Sequence, residues 1–242
     1  MKKLFALAAI AAATVAPAHA VVVTQWNFNS VPSDSAAGTG TLVAAIGVGT
    51  ASLLGTTDGF SSGDANGGSS DPATGTPTND SGWQTTGYAA QGSADKSRGV
   101  QFTVDTTGYT NVMVSWDQRL SNTASRYTQF QYTTDGSSYV DASGGLFMGA
   151  AGDTWYNNRT VDLSGVAGVA NNTNFGFRIV ATFAPQTSAY AAATTGSNYA
   201  STGTNRFDMV TLVAAPVPEP ETYALMLAGL AAVGLLARRR QG

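Results

Sequence analysis

Hydrophobic positions in this chain recur every second residue rather than every third or fourth. Phe175, Phe177, Ile179, Ala181 and Phe183 alternate with Gly176, Arg178, Val180 and Thr182. That period of two marks a strand with one buried face. Val100, Phe102 and Val104 alternate in the same way, as do Val112, Val114 and Trp116, with turn residues 105–108 between the two runs. Residues 129–134 read as a further strand with Phe130 and Tyr132 on one face. Asp135-Gly136 is a hairpin signal, and Ser138 to Val140 starts the return strand. Residues 21–28, 155–163 and 207–213 supply three more. Residues 41–54 are apolar but interrupted by Gly47 and Gly49, which predicts two short strands. Short strands separated by turn residues predict an all-β fold, a single jelly-roll-like β-sandwich over residues 21–213. Trp26 and Trp116 lie in alternating apolar runs and are assigned to its core. No segment between residue 21 and Thr222 has helical periodicity.

Two stretches break the alternation. Residues 61–82 carry no apolar side chain larger than Ala or Pro, and residues 184–204 are relieved only by Tyr190 and Tyr199. Both are read as long polar loops, since structureless stretches of this length in a domain are functional or disordered. Residues 214–217 form a short linker to the C-terminal segment.

The two ends have a different logic. Lys2-Lys3, an apolar run over residues 4–16 and the sequence Pro17-Ala18-His19-Ala20 describe a signal peptide over residues 1–20. Pro17 ends any helix, and the small residues Ala18 and Ala20 suit signal peptidase, so cleavage after Ala20 is expected. At the other end, residues 222–237 are uncharged and largely apolar, and Arg238-Arg239-Arg240 follow. Sixteen helical residues rise about 24 Å, so a short transmembrane helix is expected, its arginines reaching the cytoplasmic interface.

Composition narrows the chemistry. Charged residues are 11% of the chain, against roughly 25% in ordinary soluble proteins. There is no Cys, and the single His, His19, falls in the signal peptide. Thiol nucleophiles, Cys/His zinc sites and a Ser-His-Asp triad are thereby excluded from the processed chain. Residues 21–217 hold thirteen Asp and no Glu against seven Lys and Arg, a net charge of −6. Such a surface argues against nucleic acid as a partner, since phosphates need a basic stripe. The scarcity of Glu and Lys also removes the usual surface of a helical domain.

Pro218-Glu219-Pro220, the short apolar helix that follows and the Arg238–Arg240 cluster resemble the PEP-CTERM sorting signal of Gram-negative bacteria. The resemblance covers residues 218–242. It implies recognition of Pro218, Glu219 and Pro220 by a membrane-embedded exosortase, with the arginines as a stop-transfer cluster. It further implies transient inner-membrane anchorage, delivery to the cell surface or exterior, and association with exopolysaccharide and biofilm. A looser likeness, in the order of Asp135-Gly136, Tyr139, Trp155, residues 161–165, residues 177–179 and residues 207–210, is to extracellular jelly-roll modules. Carbohydrate-binding and adhesion modules are among these, and the likeness implies fold more than function.

Three chemistries fit the domain. Sugars stack on aromatic rings, which nominates Trp83 and Tyr88 beside the first polar loop and Trp155-Tyr156 ahead of Asn157-Asn158-Arg159. A glycosidase needs two carboxyl groups at a set separation. Asp117 and Asp208 are available, but neither lies in a signature, and no catalytic activity is expected. Calcium takes oxygen ligands, and Asn27, Asn29 and Asp208 are where the first and last strands meet. Residues 64–68 have ligand-like spacing but lack the closing Glu of an EF-hand loop. Apart from calcium, no cofactor is indicated. Asn158 and Asn171 occupy glycosylation sequons, which matter only in a host with the machinery.

Overall fold

The strands that alternation predicts are present and pair into two antiparallel sheets. The computed structural model describes residues 19–73, 80–217 and 220–239. Residues 1–18, with Ala18, and also Pro218, Glu219 and Arg240 lie outside the described residues. The strands are β1 (Val21–Trp26), β2 (Thr50–Leu54), β3 (Thr57–Ser62), β4 (Ser81–Thr86), β5 (Gly99–Thr103), β6 (Tyr109–Leu120), β7 (Tyr127–Thr133), β8 (Val140–Met148), β9 (Thr154–Asp162), β10 (Gly176–Thr182) and β11 (Asn205–Pro216). One sheet has the order β3-β4-β11-β6-β9 with β1 also on β11; the other runs β2-β5-β10-β7-β8. Successive strands switch repeatedly between the two sheets, as the jelly-roll expectation requires.

The inward side chains of the two sheets meet in an aromatic seam. Trp26 and Phe102 have ring centres 4.9 Å apart, Phe102 stacks on Phe177 at 4.9 Å, and Phe177 on Phe130 at 5.4 Å. Trp116 continues the row against Phe130 at 5.5 Å. All five rings are fully buried, so this core supplies the main hydrophobic drive of the sandwich.

Three expectations need correction. Of the two short strands read over residues 41–54, only β2 forms. Upstream, Ile46 makes one isolated bridge with Gln25, because Gly47 (φ 70°) turns the chain away. The first polar loop is not uniformly irregular: β3 enters it, a 3-10 turn occupies Ala65–Gly67, and β4 begins at Ser81. The second, residues 184–204, packs inward. Tyr190 stacks on Tyr199 at 4.6 Å and joins Tyr88, Ala89 and Ala181 in a small satellite core.

Residues 20–215 form one unit, and the C-terminal helix belongs to another. That helix, α1 (Pro220–Arg239), contains the apolar run read over residues 222–237. Among the described residues no helix is long and apolar enough to cross a membrane.

Candidate functional site

The four aromatic side chains expected to meet sugar have other tasks. Trp83 is fully buried, with Phe28 at 5.4 Å and its Nε1 donating to Asp58 Oδ2 at 2.8 Å. Tyr88 is also buried, its hydroxyl 2.5 Å from Thr85 Oγ1. Trp155 points to the outside of its sheet but is covered by the 63–70 segment, whose Ala65 carbonyl accepts from Nε1 at 2.9 Å. Tyr156 is half-buried under the Arg159 guanidinium, 4.8 Å from the ring centre, and its hydroxyl is tied to Ala151. Asp117, one of the two carboxylates considered for catalysis, is a staple. Its Oδ1 accepts from Asn158 N at 2.7 Å and its Oδ2 from Ser70 N.

The outer face of the five-stranded sheet presents a different set. Pairing registers place Ser52, Gln101, Arg178, Gln131 and Asp141 side by side, one from each strand. Residues opposite one another in antiparallel strands share a face. Phe177 and Ile179 point into the core, so Arg178 and its row point out. At about 4.8 Å per strand the row extends roughly 19 Å. Arg178 Nε donates to Gln131 Oε1 at 2.6 Å, and Gln131 Nε2 donates to Asp141 Oδ1 at 2.7 Å. Lys96 closes the chain with an ion pair to Asp141 Oδ2 at 2.5 Å. The Tyr139 hydroxyl comes close over Gly176, where a Cβ would stand 3.1 Å from it. The Arg178 guanidinium rests on its ring. At one end of this face Lys96, Gln129, Leu146 and Phe183 border a depression of about 220 Å³. The result is a fixed array of planar donors and acceptors beside an aromatic ring.

A second constellation lies in the other sheet, where β11 changes neighbours. Residues 205–207 pair with β4, whereas Val210 onward pairs with β1. Met209, at the change-over, has φ 45°. The end of β1 and the start of β4 leave a gap against β11, and Asp208 sits there, fully buried. Asp80, the residue before β4, is 1% exposed, and Asp71 reaches in from the loop. One carboxylate oxygen from each of the three lies within 4.8 Å of the other two. Gly63 makes room: a Cβ there would occupy the space of the Asp80 carboxyl group.

The electrostatics of this cluster are unfavourable as it stands. Asp208 Oδ1 accepts from Met209 N at 2.7 Å, but among the described residues Oδ2 is buried with no partner, as is Asp80 Oδ1. Burial, then the charge of Asp80, raises Asp208 well above the usual carboxylate range. Burial, then the charge of Asp71, raises Asp80 to about 6. Among the described residues the salt bridges are Lys96–Asp141 and Arg119–Asp153, so none neutralises the cluster. The nearby Arg206 turns the other way, to Ser61, Ser62 and Gln84.

Of the residues nominated for calcium, Asp208 alone belongs to the cluster. Asn29 supports it: Nδ2 donates to Asp71 Oδ2 and Oδ1 accepts from Ser81 N, both at 2.8 Å. Asn27 accepts from Asn29 N at 3.4 Å and is one shell farther out. Asp71 and Asp80 were hidden in the sequence because loop acids ordinarily serve turns.

Comparison with known proteins adds the following. Residues 216–241 match the family described as PEP-CTERM protein-sorting motif. No curated protein matches the sequence. Among solved structures, the chain is similar to the N-terminal CBM22-1-CBM22-2 tandem domain of Paenibacillus barcinonensis Xyn10C. Identity is 14%, the TM-score is 0.45, and the match covers 86% of this chain and 49% of that one. It is also similar to the CBM22-1-GH10 modules of Clostridium thermocellum xylanase Xyn10B, complexed with xylohexaose. There identity is 14% and the TM-score 0.38, over 68% and 26% of the two chains. A third is the K1 cleaved adhesin domain of Lys-gingipain from Porphyromonas gingivalis, at 12% identity and TM-score 0.30, over 71% and 100%. The chain spans about half the length of the first of these. No functional inference passes across such distances. The C-terminal segment is different: over residues 216–241 the chain carries a PEP-CTERM protein-sorting motif, the mark of an exported protein.

Proposed function

We propose that this protein is delivered to the cell surface or matrix through its C-terminal motif, and there holds exopolysaccharide without altering it. Signal peptidase removes residues 1–20, the helix over residues 222–237 anchors the chain briefly in the inner membrane, and an exosortase acts at Pro218–Pro220. The sorting motif supports the delivery. The observation that supports polysaccharide is the in-register polar row from Ser52 to Asp141, with Tyr139 beside it. Among the described hydrogen bonds Arg178 uses Nε alone, which leaves its terminal amino groups for sugar hydroxyls. The row spans every strand of a sheet, which suits an extended chain. A domain of net charge −6 favours a neutral polymer over a polyanion.

Affinity electrophoresis of the protein through gels containing the host's purified exopolysaccharide tests this reading. Mobility is expected to fall in the polymer gel, little changed by salt, and to be restored by Arg178→Ala. Retardation that survives Arg178→Ala, or none at all, overturns the assignment to this face. A drop in polymer chain length on incubation overturns the absence of catalysis. Peptide mass mapping of the released protein tests the sorting: it should end near Pro218 and lack residues 223–242.

A further inference from the structure

We propose that Asp71, Asp80 and Asp208 bind one calcium ion in the gap where β11 passes from β4 to β1. The site is built from three separate elements, and two of its carboxylate oxygens, Asp80 Oδ1 and Asp208 Oδ2, are buried without a hydrogen-bond partner among the described residues. A buried carboxylate left so is costly unless a cation or proton meets it. No Lys or Arg among the described residues does so. Meanwhile the surroundings are arranged to hold the carboxylates in place. Asn29 and Ala73 N fix both oxygens of Asp71, and Gly63 leaves the space for Asp80.

The ligand chemistry selects the ion. The donors are oxygen only, which excludes the metals that favour imidazole and thiolate. Calcium–oxygen bonds of about 2.3–2.6 Å accommodate ligands up to nearly 5 Å apart, a condition the three carboxylate oxygens meet, all lying within 4.8 Å of one another. Magnesium gives up its waters reluctantly and is seldom held by a cage of protein ligands alone. Asp64 adds a further negative charge beside Asp80. The ion ties the start of β4 and the 63–73 loop to β11 at the seam where β11 changes partner. Extracellular calcium modules work at roughly 10⁻⁴–10⁻³ M calcium, which accords with a domain that meets the ion only after export.

Titration calorimetry of the metal-free full chain with CaCl₂ or MgCl₂, together with thermal unfolding in 1 mM CaCl₂ or EDTA, tests the site. One calcium per chain is expected, with a rise in Tm of roughly 1–6 °C and magnesium at least tenfold weaker. Asp71→Asn, at the half-buried rim, should keep the fold and weaken calcium at least tenfold. Asp208→Asn should abolish the calcium-dependent rise, yet melt no lower than the unaltered chain in EDTA, because a buried negative charge has been removed. If calcium does not bind, or binds both variants as tightly as the parent, the proposal is overturned and shared protons hold the carboxyl groups. Failure here leaves the polysaccharide reading intact, because that face belongs to the other sheet.

Discussion

The Arg178 guanidinium lies 4.3 Å above the centre of the Tyr139 ring. The Tyr139 hydroxyl is buried without a hydrogen-bond partner among the described residues. The ring is therefore the working part of the residue, and its hydroxyl is a small liability. Tyr139→Phe should be neutral or stabilising by up to about 1 kcal/mol in urea unfolding and should keep polymer retention. Tyr139→Ala removes the platform under Arg178 and should weaken retention, though Arg178 itself is unchanged.

Trp83 lies in the core against Phe28 and Phe102. Trp83→Ala should cost about 3–5 kcal/mol by denaturant unfolding, the range for deleting a large buried aromatic side chain. The folded fraction should still be retarded by polysaccharide. If retardation is lost while stability is unchanged, Trp83 is a sugar contact and the core assignment is wrong.

Alkali should find a weak point in the satellite core. Burial, above all, raises Tyr88, Tyr190 and Tyr199, the last to about 12. A phenol raised in the folded state is harder to ionise there than in the unfolded chain, where its pKa is near 10. Stability from these residues is thus fully present below pH 10 and lost as pH rises through the folded values. Absorbance at 295 nm should show three of the nine tyrosines titrating only together with loss of near-ultraviolet circular dichroism. Independent, reversible titration of all nine near pH 10 contradicts this.

The β7–β8 hairpin makes the opposite prediction. Asp135 Oδ1 accepts from Ser137 N at 2.8 Å and Ser138 N at 2.6 Å. These bonds hold the carboxyl group far below its usual range. A depressed carboxylate contributes stability above the unfolded value of about 4 and loses it as pH falls. Asp135→Ala should lower Tm at pH 7, with a difference that narrows steadily below pH 4. A constant difference across that range means the turn depends on something other than the charge.

The comparison of sequence with structure turns on register. β5, β6, β7 and β10 were legible because their apolar residues alternate. β3 (TDGFSS) and β4 (SGWQTT) were not, because Gly, Ser and Thr fill them and only Phe60 and Trp83 mark a face. Arg178, Gln101, Gln131 and Asp141 are all at outward positions of strands the alternation identifies. Alternation says nothing of which residue stands opposite which, so their alignment into one row was invisible. The carboxylate cluster failed for a related reason. It depends on β11 exchanging one partner for another at Asp208, a long-range event that no local pattern records. Trp155 was misread because its cover comes from residue 65, far away along the chain.

β11 also bears on how the domain is completed. It is the partner of β1, through pairs such as Val21 with Ala214, and it runs directly into the sorting motif at residue 216. During export the first strand of the domain emerges at the start and its partner at the very end. Pairings this distant along the chain close slowly, since the intervening loop entropy must be met first. The sandwich therefore cannot complete its last seam until residues 205–216, next to the sorting motif, are free to pair with β1. The strand that completes the domain and the motif that directs its sorting are thus neighbours in the chain.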